Sequence, residues 1–243
     1  MLAVYKKEMR SYFTSVIGYA FLVIFLAIAG AVLCYTTLYS MSADVTSYFT
    51  IMLLVSGIVL PLLTMKSFSE ERKTKTEQLL LTAPISITSM VIAKFLAAYT
   101  MFVGTVLLTS VNYVTLFLYA EKSTLYGTMD PNTAAIIGNT IALLLVGMCF
   151  IAIGIFVSSL TENQFAAVVL TIAVLLGLLF VGTFNSLINV YFIRYILSWL
   201  SIYSRYSNFA NGFFDFGALV YYISIAVVFL FLTVRVYEKR RWG

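Results

Sequence analysis

The chain contains no histidine and only two cysteines among its 243 residues. The lack of histidine removes the commonest general base and metal ligand of proteins. Cys34 and Cys149 fall within apolar stretches and lack the spacing of a zinc or redox motif, so we expect both to be small buried side chains. Charged residues account for only 10% of the chain and hydrophobic residues for 62%. This composition excludes a soluble globular protein and predicts a single integral membrane domain over residues 1–243.

Motifs that would supply energy or catalysis are also missing. The sequence has no G-x-x-x-x-G-K-[ST] phosphate loop, so we do not expect the chain to bind ATP in that manner. Its long apolar stretches lack Asp, Glu, Lys and Arg, whereas proton- or sodium-coupled transporters often keep such a group at membrane depth. We find no nucleophile–base pair and no metal-ligand cluster. We therefore predict no catalytic residue, no metal site and no cofactor bound by this chain.

Six apolar stretches are each long enough to cross a hydrocarbon core of about 30 Å, which predicts an all-α membrane protein. They lie near Val16–Leu38, Tyr48–Met65, Phe95–Tyr119, Ala134–Ser158, Gln164–Phe184 and Gly217–Val234. Residues 1–15 are amphipathic and predict a helix lying on the membrane surface. Its apolar residues recur at helical spacing (Leu2, Tyr5, Met9, Tyr12, Phe13, Val16), and its charged residues Lys6, Lys7, Glu8 and Arg10 lie mostly on the other face.

The distribution of lysine and arginine predicts the orientation in the membrane. With the N-terminus inside, the cytoplasmic segments carry twelve basic residues and the outer segments carry three, Lys122, Arg194 and Arg205. Cytoplasmic loops of membrane proteins are enriched in Lys and Arg. We therefore expect both termini to be cytoplasmic.

The largest charge cluster lies in residues 66–94, which we expect to form a cytoplasmic loop. Ser67-x-x-Glu70 and Thr74-x-x-Glu77 both have the spacing of a capping box, so a short helix should begin at one of them and end near Leu81, before Pro84. A start at the earlier box would allow two ion pairs at i,i+4, Glu71 with Lys75 and Lys73 with Glu77. The apolar run Leu79–Leu81 needs cover outside the membrane. Lipid headgroups or the protein's own helices could provide it, and so could a cytoplasmic partner protein.

The outer segment 185–215 is rich in aromatic residues. Tyr191, Tyr195 and Trp199 step by four residues and share one helical face, and Phe213 follows a predicted break at Asn208–Gly212. We expect one or two short helices that dip into the outer leaflet. The aromatic side chains either form an interfacial belt or gate a translocation path. In the fourth span, Gly154-x-x-x-Ser158 permits close helix approach, within the subunit or at a subunit interface.

The charged loop resembles a known motif. The stretch Ser67-Phe-Ser-Glu-Glu-Arg-Lys-Thr-Lys-Thr-Glu-Gln-Leu-Leu-Leu-Thr-Ala-Pro-Ile-Ser86, followed by Ala93-Lys94-Phe95, is similar to the first cytoplasmic loop of type-2 ABC exporter permeases. Lys75 stands where many members have Gly, and Gln78 where many have Glu. The N-terminal Tyr5-Lys-Lys-Glu-Met-Arg-Ser-Tyr-Phe13, the stretch Asn208-Phe-Ala-Asn-Gly-Phe-Phe-Asp-Phe216 and the terminal Glu238-Lys-Arg-Arg-Trp242 resemble the gliding-motility GldF-like branch.

The resemblance implies a permease half of the bacterial or archaeal cytoplasmic membrane, with an N-terminal elbow helix, six spans, a coupling helix and re-entrant outer helices before the last span. Glu70–Thr82 would be the coupling helix, which docks on an ATPase subunit. Polar contacts would come from Glu70, Glu71, Arg72, Glu77 and Gln78, and apolar contacts from Leu79, Leu80 and Leu81. Two ATPase subunits, which use ATP and Mg, would pair with two permease halves, identical or homologous. A membrane scaffold that recruits a cytosolic protein without transport is the alternative; a membrane enzyme is disfavoured because no catalytic constellation is found.

Overall fold

The computed structural model describes residues 1–39, 45–77, 86–115, 117, 132–184, 201–210 and 215–242. Over these residues the chain is helical. The helices are α1 (Leu2–Thr14), α2 (Val16–Leu33), α3 (Thr46–Thr64), α4 (Lys66–Lys73), α5 (Ile87–Thr109), α6 (Thr133–Leu160), α7 (Gln164–Phe184), α8 (Ile202–Ala210) and α9 (Phe216–Trp242). A π-helical turn, Cys34–Tyr39, continues α2.

Six helical stretches in the described part of the chain are long and apolar enough to cross a membrane, as the sequence predicted. They are Val16–Thr37, Thr46–Lys73, Ile87–Thr115, Thr133–Leu160, Gln164–Val181 and Phe216–Arg241. The prediction of an all-α fold with six spans is therefore confirmed.

Helix α6 forms the centre of the bundle. It packs against α3, α4, α5, α7, α8 and α9. Small residues allow this close packing. A methyl group at Gly147 would overlap the ring of Phe102 on α5, and one at Gly154 would overlap the side chain of Thr64 on α3. The close approach at Gly154 lies within the subunit, so the first of the two alternatives for Gly154-x-x-x-Ser158 is the one observed.

Two spans are longer than the apolar pattern indicated. Helix α5 begins at Ile87 rather than Phe95, because Ser86 caps its N-terminus by accepting a hydrogen bond from the Ser89 amide at 3.4 Å. Helix α9 continues to Trp242, and its last turn carries Lys239, Arg240 and Arg241, whose charges are favourable at a helix C-terminus. The predicted loop 66–94 is correspondingly shorter, since α4 directly follows α3 and Lys94 lies inside α5.

Helix α1 packs against α5 and α2, and its buried face differs from the predicted one. Val4, Glu8 and Tyr12 are buried, and the Tyr12 hydroxyl donates to the carbonyl of Leu63 at 3.3 Å. Glu8 was predicted on the polar face. It lies inside because a cation within α5 binds it, as described below.

The two cysteines also differ from each other. Cys149 is buried as predicted, whereas Cys34 is exposed in the π-helical turn. The prediction for Cys34 was therefore wrong. The side chain lies on a face of α2 that no other described helix covers.

One end of the bundle carries α1, α4, the start of α5, residues 160–163 and the C-terminal end of α9. We call it the charged end, because six of the seven described acidic residues lie there. The other end carries α8 and the start of α9, and we call it the opposite end.

Candidate functional site

The segment Lys66–Glu77, which the sequence singled out, lies at the charged end. Helix α4 continues the direction of the chain after a break at Met65, and it buries Ser67, Phe68 and Ser69. Its C-terminus is closed by the Thr74 hydroxyl, which donates to the Glu70 carbonyl at 2.8 Å. Lys75 follows with a φ of 58°, the left-handed conformation in which helices commonly end at glycine. This conformation explains why glycine suits the position in the resembling motif.

A serine on α6 caps the junction between α3 and α4. The Ser158 hydroxyl accepts hydrogen bonds from the amides of Phe68 and Ser69, both at 3.2 Å, and it donates to the Met65 carbonyl at 3.1 Å. The first amides of a helix have no partner within the helix. Ser158 supplies one for two of them from a different span. It therefore fixes α4 to the end of the central helix.

The capping boxes predicted at this place are not formed as expected. Helix α4 begins at Lys66 without a side-chain cap, so the box at Ser67 was wrong. The hydroxyl of Thr74 is used at the C-terminus of α4. Neither predicted i,i+4 pair forms, since Glu71 pairs with Lys7 and Lys94 and Glu77 pairs with Arg240. The i,i+4 pair observed in α4 joins Lys66 and Glu70 at 3.7 Å.

Four charged side chains form a network between α1, α4 and α5, in which Lys94, Glu8 and Glu71 are buried and Lys7 is exposed. Lys94 Nζ lies 2.9 Å from Glu8 Oε1 on α1 and 2.9 Å from Glu71 Oε1 on α4. It also donates to the Ser67 carbonyl. Lys7 Nζ lies 3.0 Å from the same oxygen of Glu71. Two cations and two carboxylates thus balance one another across three helices.

Burial makes this network strongly interdependent. The Lys94 side chain is 1% exposed, and those of Glu8 and Glu71 are 11% and 12% exposed. A buried charge is tolerated when it is paired and hydrogen-bonded, and removal of one partner leaves the other uncompensated at a cost of about 3–5 kcal/mol. Burial lowers the pKa of Lys7, but the hydrogen bond from Lys7 to Glu71 and the charge of Glu71 outweigh it, so the pKa lies above its ordinary value of 10.5. Lys7 therefore stays charged at neutral pH.

An aromatic contact joins the same segment to α9. The Phe68 ring lies 4.8 Å from Lys94 Nζ and 4.6 Å, between centroids, from the ring of Tyr237. Both rings are almost fully buried. A cation over an aromatic face is attracted by the ring quadrupole. Phe68 thus links the ion network to the C-terminal part of α9.

Two arginines hold the C-terminal end of α6. Arg72 on α4 donates to the Leu160 carbonyl at 3.1 Å, and Arg240 on α9 donates to the Ser159 carbonyl at 2.7 Å. The last carbonyls of a helix lack internal partners and carry partial negative charge. Each arginine also pairs with a carboxylate, Glu162 at 2.9 Å and Glu77 at 3.2 Å respectively. The segment Lys66–Glu77 is therefore connected to α1, α5, α6 and α9.

The predicted docking residues divide into two groups. Glu70, Glu71, Arg72 and Glu77 use their charges within this chain, as described above. Gln78, Leu79, Leu80 and Leu81 lie outside the described residues. Lys73–Thr76, which lie between Arg72 and Glu77, are exposed; we call these four residues the tip. The docking role of the segment stays a prediction, and the tip is the part of it that the described chain leaves open.

The predicted gate residues Tyr191, Tyr195, Trp199 and Phe213 also lie outside the described residues. The short helix expected before the last span is present as α8, which packs against α6 and α7. The Tyr206 hydroxyl donates to Asn139 Oδ1 on α6 at 2.6 Å, and both side chains are buried. The Tyr222 hydroxyl on α9 donates to the Ile202 carbonyl at 2.9 Å. The gating role itself stays a prediction.

The ion network was missed in the sequence. Lys94 was assigned to the loop because it precedes an apolar run, and Glu8 was assigned to the polar face of α1. The available signal was a cation about two turns inside a helix whose start is capped by Ser86. An ionisable residue inside a span is a marker of function or of a specific partner. Its partner Glu8 lies 86 residues away in the chain and cannot be found by local patterning.

The comparisons with known proteins identify the family. Residues 2–242 match the profile of the family described as "ABC-2 family transporter protein". A comparison with curated proteins finds no match. The family match covers nearly the whole chain and agrees with the six-span helical fold. The chain belongs to the ABC-2 transporter family: it is a multi-pass membrane protein, the permease subunit of an ABC transporter rather than its ATPase, and its partner is an ABC ATPase subunit.

Proposed function

We propose that this chain is the transmembrane half of an ATP-driven exporter and that residues 66–82 receive the force of the ATPase. The ATPase subunit would hydrolyse ATP with Mg and dock on the tip Lys73–Thr76 and the apolar run Leu79–Leu81. The observation that carries the proposal is the set of contacts behind the tip. Buried ion pairs, a serine cap and two arginine contacts join this segment to four other helices.

The contacts suit a segment that transmits movement. A push on the tip would reach α6 through Ser158 and Arg72, and it would reach α1 and α5 through the network around Lys94. Because packed interiors resist compression, such a displacement moves whole helices rather than single side chains. Movement of α6 would in turn shift the helices around it, since α6 is central to the bundle.

The complex would contain two ATPase subunits and a second permease half, identical or homologous. We place it in the bacterial or archaeal cytoplasmic membrane with both termini inside, because Lys and Arg are concentrated at the charged end. Export is the direction implied by the resemblance of the loop motif. The sequences around Tyr5–Phe13 and Asn208–Phe216 favour the GldF-like branch.

The test is co-purification with an ABC ATPase encoded next to this gene. Lys73→Glu with Lys75→Glu reverses two exposed charges of the tip. The matched control, Lys239→Glu with Arg241→Glu, makes the same change at two exposed positions of α9. Glu77→Lys is unsuitable because it would also break the pair with Arg240. We expect the tip variant to lose the ATPase at least roughly tenfold, a loss of about 1.4 kcal/mol, and the control to retain it.

Retention of the ATPase by both variants would show that the tip is not the docking site. A second readout separates the exporter from the scaffold alternative. ATP hydrolysis by the reconstituted complex should fall in the tip variant in proportion to the bound ATPase. If the tip binds the ATPase but substitution of Lys94 leaves coupled ATP hydrolysis and transport unchanged, the segment recruits a partner without transmitting force.

A further inference from the structure

The acidic residues of the charged end are all used within the chain. Each of the six that the structure describes there forms an ion pair with a lysine or arginine. Glu8 and Glu71 share Lys7 and Lys94, while Glu70 pairs with Lys66, Glu77 with Arg240, Glu162 with Arg72 and Glu238 with Arg235. Six carboxylates are thus matched by six cations.

The same end carries twelve basic residues, so six cations remain outside these pairs. They are Lys6, Arg10, Lys73, Lys75, Lys239 and Arg241. All six are exposed, and none forms an ion pair with a described residue. Since every described carboxylate at this end already has a partner, these charges are available for a ligand outside the chain.

Lys6 and Arg10 differ from the other four in their surroundings. They lie on α1, whose buried face of Val4, Glu8 and Tyr12 contacts the rest of the protein. At 3.6 residues per turn, Leu2 and Phe13 fall on a stripe between that buried face and the stripe of Lys6 and Arg10. Leu2 is 72% exposed and Phe13 is 50% exposed. Helix α1 therefore has three adjacent stripes: one buried against the protein, one apolar and exposed, and one basic and exposed.

We propose that Lys6 and Arg10 bind the headgroups of anionic phospholipids while Leu2 and Phe13 insert beside them into the acyl region. An acidic protein surface would satisfy the two cations but would leave Leu2 and Phe13 in contact with water. A bilayer surface satisfies both stripes, since amphipathic helices lie with the apolar face in the headgroup–acyl boundary. Val16, the first residue of the first span, is 83% exposed and continues the apolar stripe into the membrane. This surface is independent of the proposed ATPase docking, which uses the tip.

The bound lipid would act on the ion network from the opposite face of α1. Glu8, on the protein side of α1, holds Lys94 at 2.9 Å. Anionic headgroups on the other side of the helix would keep α1 pressed into the membrane boundary and so keep Glu8 in register with Lys94. Lipid composition would thereby influence how firmly α1 is attached to α4 and α5.

The experiment counts lipids that the detergent-solubilised full chain retains, by native mass spectrometry, after addition of phosphatidylglycerol or phosphatidylcholine. The unmodified chain should retain phosphatidylglycerol in preference. Lys6→Gln with Arg10→Gln should weaken this retention by roughly twenty-five-fold, since one cation near an anionic surface contributes about fivefold. The matched control, Lys73→Gln with Lys75→Gln, removes the same charge from the tip and should bind as the unmodified chain does. Unchanged elution in size-exclusion chromatography verifies that each variant is folded.

A third variant tests the apolar stripe. Phe13→Ser leaves both cations in place and should also reduce the retention of phosphatidylglycerol. Three results would overturn the proposal: equal retention of the two lipids by the unmodified chain, equal loss in the α1 variant and the tip control, or full retention in Phe13→Ser. The second would indicate unspecific attraction by net charge, and the third would indicate an anionic ligand without an acyl chain.

Discussion

The two ends of the bundle bury polar groups in different ways. At the charged end, full charges are buried and paired across several helices, with Lys94 as the centre. Towards the opposite end, the described residues form buried neutral hydrogen bonds, for example from Tyr206 to Asn139 at 2.6 Å and from Tyr222 to the Ile202 carbonyl at 2.9 Å. Arg205, a cation described at that end, lies 4.3 Å over the ring of Tyr221.

The difference has energetic consequences. Breaking a buried ion pair by removing one partner costs about 3–5 kcal/mol, whereas a neutral hydrogen bond contributes about 1 kcal/mol, and on average about 0.6 kcal/mol between transmembrane helices. The helices of the charged end are therefore expected to move together. The hydrogen bonds that Tyr206 and Ile202 of α8 form are expected to rearrange at lower cost. Such an arrangement is compatible with the proposed function, in which the charged end would receive the force of the ATPase.

The largest expected effect comes from removing the centre of the ion network. Lys94→Met leaves the buried Glu8 and Glu71 with the exposed Lys7 as their remaining cation, and we expect destabilisation of about 3–5 kcal/mol. The measurement is thermal unfolding in detergent, followed by a thiol-reactive fluorophore. Cys149 is buried and reports unfolding once the exposed Cys34 is replaced by serine.

Two controls accompany this variant. Lys239→Met removes an exposed cation that is not in an ion pair with a described residue and should leave the unfolding temperature unchanged. The triple variant Lys94→Met, Glu8→Gln, Glu71→Gln removes the stranded charges and should recover much of the stability. If Lys94→Met unfolds at the temperature of the Lys239 control, the charged end is not held by its buried charges and the contrast between the two ends disappears.

An intermediate effect is expected where α3 and α6 approach most closely. In Gly154→Ala, the added methyl group overlaps the side chain of Thr64 and pushes the helices apart next to the Ser158 cap, at a cost of about 1–3 kcal/mol. Gly30→Ala is the matched control, because no other atom lies within 4 Å of its added methyl group. The same thiol-labelling assay compares the two.

A compensating substitution sharpens this second prediction. Thr64→Ala combined with Gly154→Ala removes the Thr64 hydroxyl and methyl groups, leaves its Cβ 3.0 Å from the added methyl position, and should recover part of the stability. Equal stability of the Gly154 and Gly30 variants would mean that the two helices are not in close contact at this position.

The spans could be predicted from sequence because a long apolar run crosses the hydrocarbon core as a helix, in which the backbone groups bond to one another. The start of α5 and the end of α9 could not be predicted, because polar residues occupy these ends: Ser86 caps α5, and basic residues occupy the last turn of α9. Ser86 caps α5 and thereby brings Lys94 into the helix, although a lysine next to an apolar run resembles a span boundary. The exposure of Cys34 depends on which helices cover α2, and this is a property of the packed bundle.

The candidate site could be located from sequence but its contacts could not. The charge cluster at Lys66–Glu77 pointed to a segment whose charged residues pair with several other helices. The partners of its charged residues come from α1, α5, α6 and α9, which are remote in the chain. Gly154-x-x-x-Ser158 correctly indicated a close helix approach, but it left open whether this lies within the subunit and gave no sign that Ser158 caps α4. Local patterns identify segments, whereas ion pairs between segments are a product of the tertiary fold.

The smallest effect is expected at the opposite end. Tyr206→Phe removes the hydroxyl that donates to Asn139 at 2.6 Å and keeps the ring in place, so we expect destabilisation of about 1 kcal/mol. In a double-mutant cycle, Asn139→Ala should cost more by itself, because its amide also donates to the Ala135 carbonyl at 2.8 Å. The two substitutions together should cost less than their sum, since they remove the same hydrogen bond. A loss for Tyr206→Phe as large as that for Lys94→Met would show that α8 is held as firmly as the charged end. In that case the contacts at the opposite end would not rearrange at lower cost than those at the charged end.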